Sequence, residues 1–349
     1  MSRLPLAQSK GDESAMRALR ILACIPLHYY ESLSITLSYY YVAEVLRRMG
    51  HTVHVFEFVE QGRCNREGMN DFFLSCVIGN RYDLVFVETS LDEFDPDVLD
   101  EAAKRTVTLA WNSDDDWRWE SYSSHWCKHF TYMVTTYRGV YEENKKTHPN
   151  LLLSQWACTG FFDGADVPKD LDFTFVGGIY PRRAAFLTRV RKTTSLKVFS
   201  RSTLPPATRI GACRRKAARA LYGQPVSPVG NRLDYADVNE IWNRSKVSLT
   251  PLEASQDGHM QIKGRVFEMG MSGTVMLCSR SAGLEEFYVP GREYLDYATA
   301  EECCEKARYL ATHEQARLRI ARAYRQRTLA EHMWDMRYRQ LFSQVGLPL

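Results

Sequence analysis

Six short apolar stretches in the first 160 residues, each trailed by a turn or a helical pattern, constrain this fold more than anything else in the chain. Leu19–Pro26, Thr52–Phe58, Tyr82–Val87, Thr106–Trp111, Tyr132–Thr135 and Leu151–Ala157 read as strands. Most are apolar at successive positions, as strands buried on both faces are, and Thr52–Phe58 is rich in β-branched and aromatic residues. Between them, Ile35, Tyr39, Val42, Leu46 and Met49 recur at helical spacing, and Gly50 supplies the stop. Asp71–Ile78 reads as helix, Pro96 opens another that runs to Lys104, and a polar helix lies near Val140–Lys146. Alternating helices and two-sided strands predict an α/β doubly wound parallel sheet, in which ligands gather at the carboxyl ends of the strands.

The pattern halts at a polar segment, 163–172, and then restarts. Phe173–Val176 is a strand, Gly177-Gly178 a turn, Arg182–Arg191 a helix and Leu196–Phe199 a strand. Residues 202–232, with four prolines, are left without assignment. Helix Val238–Asn243, strand Lys246–Leu249, helix Lys263–Met271, strand Thr274–Cys278 and helices over most of 300–345 follow. At 349 residues the chain is long enough for two domains of ~150 residues each. The expected division is an N-terminal Rossmann-like domain over 1–165, a C-terminal one over 166–332, and a last helix, 333–349, that crosses back to the first domain.

The longest apolar run, Ile21–Leu27, is far short of the ~20 residues that span a bilayer. The charged first twenty residues do not read as a signal peptide. Nine cysteines without a C-x-x-C pair suit reduced thiols, and hence a cytoplasmic protein, better than a disulfide framework. The net charge of +3 conceals an asymmetry. Residues 1–181 hold 17 basic and 26 acidic side chains, and 182–349 hold 28 and 16. Within 182–233 there are thirteen basic residues and no acidic one, which points to a basic domain that handles phosphate, with a merely solvated basic face as the alternative.

Gln261–Tyr297 carries the most chemistry. On a helix starting at Lys263, Arg265 and Glu268 lie three apart on one face. A carboxylate at Glu268 would accept both hydroxyls of a vicinal diol such as a ribose. Lys263 and Arg265 fall in the first turn, where cations oppose the helix dipole unless an anion binds there. The alternative is a plain Arg265–Glu268 pair on a solvated face. The order K-x-R-x-F-E, a glycine about five residues on, an apolar strand, G-L-E-E-F and P-G-x-E resembles the donor region of group 1 glycosyltransferases of the GT-B fold. Together with FVGGIYPRR at 175–183 and RSKVSLTP at 244–251, it most resembles their spore-maturation-protein-like branch. The resemblance is clear over 173–340 and architectural before that. It implies two Rossmann-like domains facing across a cleft and a nucleotide-sugar co-substrate, with a UDP-sugar favoured. It further implies that Glu268 binds the ribose, that Lys263 and Arg265 meet the diphosphate, and that Gly283, Leu284 and Glu285 contact the donor. Arg183 is a further candidate cation for the diphosphate, and Gly177-Gly178, after a strand, would let the backbone approach a phosphate or acceptor. Many retaining relatives carry a second Glu eight residues before the ribose Glu; here that position is Met260.

Trp111–Trp117 (WNSDDDW) ends an apolar strand in three carboxylates. Asp114 or Asp115 is a candidate base for an acceptor hydroxyl. Asp114 and Asp116 also match the D-x-D spacing of a metal-dependent GT-A-like enzyme, and a plain helix cap is the third reading. His28, after the first strand, is a second candidate base or acceptor ligand. His125, Cys127 and His129 fit no common zinc spacing. The expectation is therefore a metal-independent glycosyltransferase without cofactor. A non-catalytic nucleotide-binding protein is the alternative from another class. Arg214, Arg215, Lys216 and Arg219 add the prospect of a polyanionic acceptor, such as DNA carrying a hydroxylated base.

Overall fold

A computed structural model describes residues 17–28, 35–89, 92–200, 233–254, 256 and 258–348. The basic cluster at Arg214, Arg215, Lys216 and Arg219 lies outside them. Two all-parallel sheets form. The first joins β1 (Arg20–Cys24), β2 (Thr52–Phe56), β3 (Leu84–Glu88), β4 (Val107–Trp111), β5 (Tyr132–Thr135) and β6 (Leu151–Leu153) in the order β2-β1-β3-β4-β5-β6. The second joins β7 (Leu171–Val176), β8 (Leu196–Phe199), β9 (Ser245–Thr250), β10 (Val275–Ser279) and β11 (Leu295–Tyr297) in the order β11-β10-β9-β7-β8. Each order reverses once, between β1 and β3 in the first sheet and between β7 and β9 in the second, and such switch points are where open α/β sheets bind ligands.

The central strands are buried on both faces because each sheet separates two apolar layers, whereas the edge strands β2 and β8 keep exposed residues. Ile21 and Ala23 face one core of the first sheet while Leu22 and Cys24 face the other. The one-sided helices supply the cover. The last helix, Trp334–Gln344, packs on the first sheet, where Trp334 stacks on Tyr41 with ring centroids 4.6 Å apart and meets Trp111 at 5.0 Å. Trp156, just beyond β6, completes this aromatic wall.

Three local outcomes differ from the sequence expectations. The helix expected over Lys263–Met271 is a single α-turn, Arg265–Glu268, that tightens into a 3-10 turn, Met269–Ser272. Gly273 at φ +66° ends it, and the Ser272 hydroxyl bonds back to Met269 O at 2.7 Å. The helix after β1 opens as a π-helix, Tyr39–Glu44, before the α-turn Val45–Arg48. Helix Val59–Cys64 and strand β11 were not anticipated, each too short to show a period of its own. Among the described residues no helix is long and apolar enough to cross a membrane.

Candidate functional site

The two sheets present the carboxyl ends of their strands to each other, and among the described residues two cavities lie between them. The smaller, about 540 Å³, sits between the switch points. The second sheet contributes Gly177 and Gly178, after β7, with Lys263, Arg265 and Glu268; the first contributes Ser38, Tyr41, Glu88 and Trp156. Four of the sequence-predicted donor residues therefore meet here: Gly178, Lys263, Arg265 and Glu268.

Each is held by a traceable cause. Arg265 Nη1 donates to Val176 O at 2.8 Å. It can reach that carbonyl only because Gly177, at φ +143°, carries no side chain; a Cβ there would stand 2.5 Å from Arg265 Nη1. Gly264 plays the same part for Glu268, whose Oε1 would be 2.7 Å from an added Cβ. Arg183 lines neither cavity. Buried, it donates to Gly178 O at 2.9 Å and to Glu253 O at 2.6 Å, so it braces the glycine turn from behind. Lys263 Nζ donates to the same Glu253 carbonyl at 3.0 Å.

The electrostatics of this cluster are those of groups gathered against their own repulsion. Desolvation, then Arg183 and Arg265, push the Lys263 ammonium down to about 7. Burial raises the Glu268 carboxyl to about 7, with Arg265 pulling partly against it. Glu268 is only 7% exposed, and none of the described side chains hydrogen-bonds to its carboxylate. A carboxylate and two basic side chains thus line one polar cavity. Such a cavity accepts a ligand that supplies both hydroxyl donors and negative charge.

The larger cavity, about 720 Å³, lies beyond Gln261 and contains Gly283, Tyr137, Arg138, Gln155 and Arg337. Gly283, at φ +94°, opens the 3-10 turn Leu284–Glu286. Leu284 is buried in the core and Glu285 is exposed, so the G-L-E-E segment meets the cleft through Gly283 and Glu286. Glu286 receives Arg138 of the first domain, Nη2 to Oε2 at 2.6 Å and Nε to Oε2 at 2.9 Å.

The WNSDDDW loop lines neither cavity but bonds to the segment just before Lys263. Gln261 Nε2 donates to Asp114 Oδ1 at 3.2 Å and to Asp116 Oδ1 at 3.3 Å, and His259 Nδ1 lies 3.2 Å from Asp116 Oδ2. Asp114 occupies the N-cap position of Asp115–Arg118 without a side-chain cap bond, and burial raises its carboxyl. Asp115 turns inward, 1% exposed, and accepts from Ser123 Oγ at 2.5 Å. His28, partly buried, makes an isolated antiparallel bridge to Ile35. None of Asp114, Asp115 and His28 lines either cavity. Among the described residues no group of three or more His, Cys, Asp or Glu side chains is placed to hold a metal ion. Ser38, Tyr41, Trp156 and Glu88 escaped the sequence reading. Glu88 had a signal: it is the one charged residue of L-V-F-V-E and sits at the strand's carboxyl end.

A family model described as glycosyl transferase-like matches residues 209–343. No curated protein matches the chain by sequence. Solved structures match its shape over nearly its whole length. HepE of Anabaena, solved in complex with UDP-glucose, is 9% identical, with a TM-score of 0.59 over 94% of this chain and 99% of its own. A glycosyltransferase from Rickettsia africae is 12% identical, with a TM-score of 0.60 over 94% and 97%. The sucrose-phosphate synthase of Thermosynechococcus elongatus is 14% identical, with a TM-score of 0.58 over 94% and 99%. The fold is that of the GT-B glycosyltransferases, and the glycosyl transferase-like match falls on the half that holds Lys263, Arg265 and Glu268.

Proposed function

We propose that the protein transfers a sugar from a nucleoside diphosphate sugar, a UDP-sugar by preference, to an acceptor hydroxyl, and that it does so without a metal ion. One observation carries the reading: Lys263, Arg265 and Glu268 meet at the switch point of the second sheet beside a glycine turn. Glu268 would take the ribose hydroxyls. Lys263 and Arg265 would stabilise the departing diphosphate, with Arg183 fixing the turn against which it lies. A dry, preorganised pair of cations supplies the charge stabilisation that a divalent ion supplies in metal-dependent transferases. HepE, with the same fold, was solved with UDP-glucose.

The base that accepts the acceptor's proton belongs to the first domain. Of the candidates the sequence offers, Asp114, Asp115 and His28, Asp114 is the one whose carboxyl feels the charge of Lys263. Closure of the cleft, held here by Arg138–Glu286 and by Gln261 on Asp114 and Asp116, would align donor and acceptor. The motif order fits the spore-maturation-protein-like branch. The free thiols of its described cysteines fit a cytoplasmic setting, where nucleotide sugars are made. The basic run over 182–233 fits a polyanionic acceptor such as DNA; that part of the reading stands or falls on steeply salt-dependent binding of the full chain to duplex DNA.

The decisive measurement is calorimetric titration of the protein with UDP, GDP and UDP-glucose. Saturable binding of a nucleoside diphosphate, with a matching rise in melting temperature, is expected. No binding by any of the three overturns the proposal.

A further inference from the structure

The first sheet has its own switch point, and a carboxylate there faces the donor cavity. Glu88 ends β3, next to β1, and lines the 540 Å³ cavity opposite Lys263, Arg265 and Glu268. Its Oε2 is enclosed and finds no hydrogen-bond partner of good geometry; neither does the hydroxyl of Tyr41 beside it, 3% exposed. Stable interiors rarely leave such groups unsatisfied unless a ligand or catalytic task accounts for them. Asp115 also keeps one buried oxygen, Oδ2, without a partner while its Oδ1 accepts from Ser123, and Asp114 accepts from Gln261; what separates Glu88 from both is that neither of them lines either cavity.

We propose that Glu88 is the catalytic base, taking the proton of the acceptor hydroxyl as the sugar leaves the nucleotide. The inference rests on the transferase reading above. The acceptor oxygen forms a bond to the anomeric carbon, and the bond from that carbon to the β-phosphate oxygen breaks. Its electron pair leaves with the nucleoside diphosphate beside Lys263 and Arg265. The acceptor's proton passes to Glu88 Oε2 and reaches solvent when the cleft opens. Asp114 then acts as a positioning residue, holding the neck closed through Gln261.

The surroundings of Glu88 suit that task. Burial pushes its carboxyl above the ordinary range, and the Ser38 and Tyr41 hydroxyls pull it partway back. A base whose pKa is raised toward the working pH abstracts protons more effectively than an ordinary carboxylate. The other titratable groups that face it are Tyr41 from the π-helix and Tyr338 from the last helix. Burial holds both phenols protonated, and Lys263, Arg265 and Glu268 lie across the cavity.

The test uses the full chain, with UDP-glucose as donor and water as acceptor, following UDP release in wild type, Glu88→Gln and Asp114→Asn across pH 5–9. UDP affinity is measured on each by titration. The expected result is a Glu88→Gln protein that binds UDP as wild type does, releases it at least about a hundredfold more slowly, and lacks the acidic limb of the pH profile. Asp114→Asn should slow release while keeping that limb. Turnover of Glu88→Gln within about threefold of wild type overturns the inference alone. So does loss of UDP binding in that variant, which would make Glu88 a donor ligand or a folding residue. A wild type that binds UDP but releases none from UDP-glucose also overturns it, since a base poised on a loaded site activates water. Failure of the wild type to bind UDP overturns the transferase reading, and this inference with it.

Discussion

At the switch point of the second sheet stand two cations whose donors are tied to backbone carbonyls, Arg265 to Val176 and Lys263 to Glu253. At the same position in the first sheet stands a lone carboxylate, Glu88, among aromatic rings and hydroxyls. The first domain is finished by packing, since its core includes Trp111, Trp156 and Trp334. The second gathers like charges and holds them with glycine turns. One half supplies an aromatic wall and a buried carboxylate, the other a charged cradle that an anionic ligand would complete.

The largest effect should come from breaking the wall. Trp334→Ala removes a side chain that is 1% exposed and stacked on Tyr41, and should cost ~3–5 kcal/mol by urea unfolding. A loss below 1 kcal/mol would mean the last helix is not integral to the first domain.

Changing the cradle should act in the opposite direction. Glu268, raised to about 7 when folded, binds more protons in the native chain than in the unfolded one between its ordinary value and 7. Its contribution to stability therefore declines as pH rises through that window. Glu268→Gln should gain up to ~3 kcal/mol at pH 8, by urea unfolding, while weakening UDP binding by about tenfold to a hundredfold. A variant that is less stable at pH 8, or that binds UDP undiminished, breaks the contrast between the two halves.

Lys263 sharpens it further. With its ammonium lowered to about 7, it is mostly neutral at pH 8, and a bound diphosphate would restore its charge. UDP binding at pH 8 should thus take up a proton, approaching one per site, seen by calorimetry in buffers of different ionisation enthalpy. Lys263→Met should abolish the uptake. The smallest effect belongs to the clasp between the halves: Arg138→Ala removes an exposed pair to Glu286 and should change stability by less than ~1 kcal/mol.

The sheets were legible because two-sided strands such as L-V-F-V-E and V-T-L-A-W have few other ways to be buried. The helix at Lys263 was overextended because periodicity cannot register how Gly264, Gly270 and Gly273 weaken a turn that tertiary packing must hold. Gly270, for one, is pressed against Thr328. One wall of the smaller cavity was readable from local spacing, since Lys263, Arg265 and Glu268 lie within six residues. Its other wall was not. Ser38, Glu88 and Trp156 come from three separate strand-end connections, and only the sheet order makes them neighbours.

The placement of Trp334–Gln344 on the first sheet bears on how the chain is made. A ribosome delivers β1 to β6 early, yet the side chains that seal one face of that sheet emerge more than 180 residues after β6. At ~5–20 residues per second, the first domain waits on the order of ten seconds or more with its aromatic wall open. The second domain is translated in that interval, so assembly of the first is coupled to completion of the second. A nascent chain released before residue 334 would carry an exposed Tyr41–Trp111 surface that quality-control machinery recognises as unfinished.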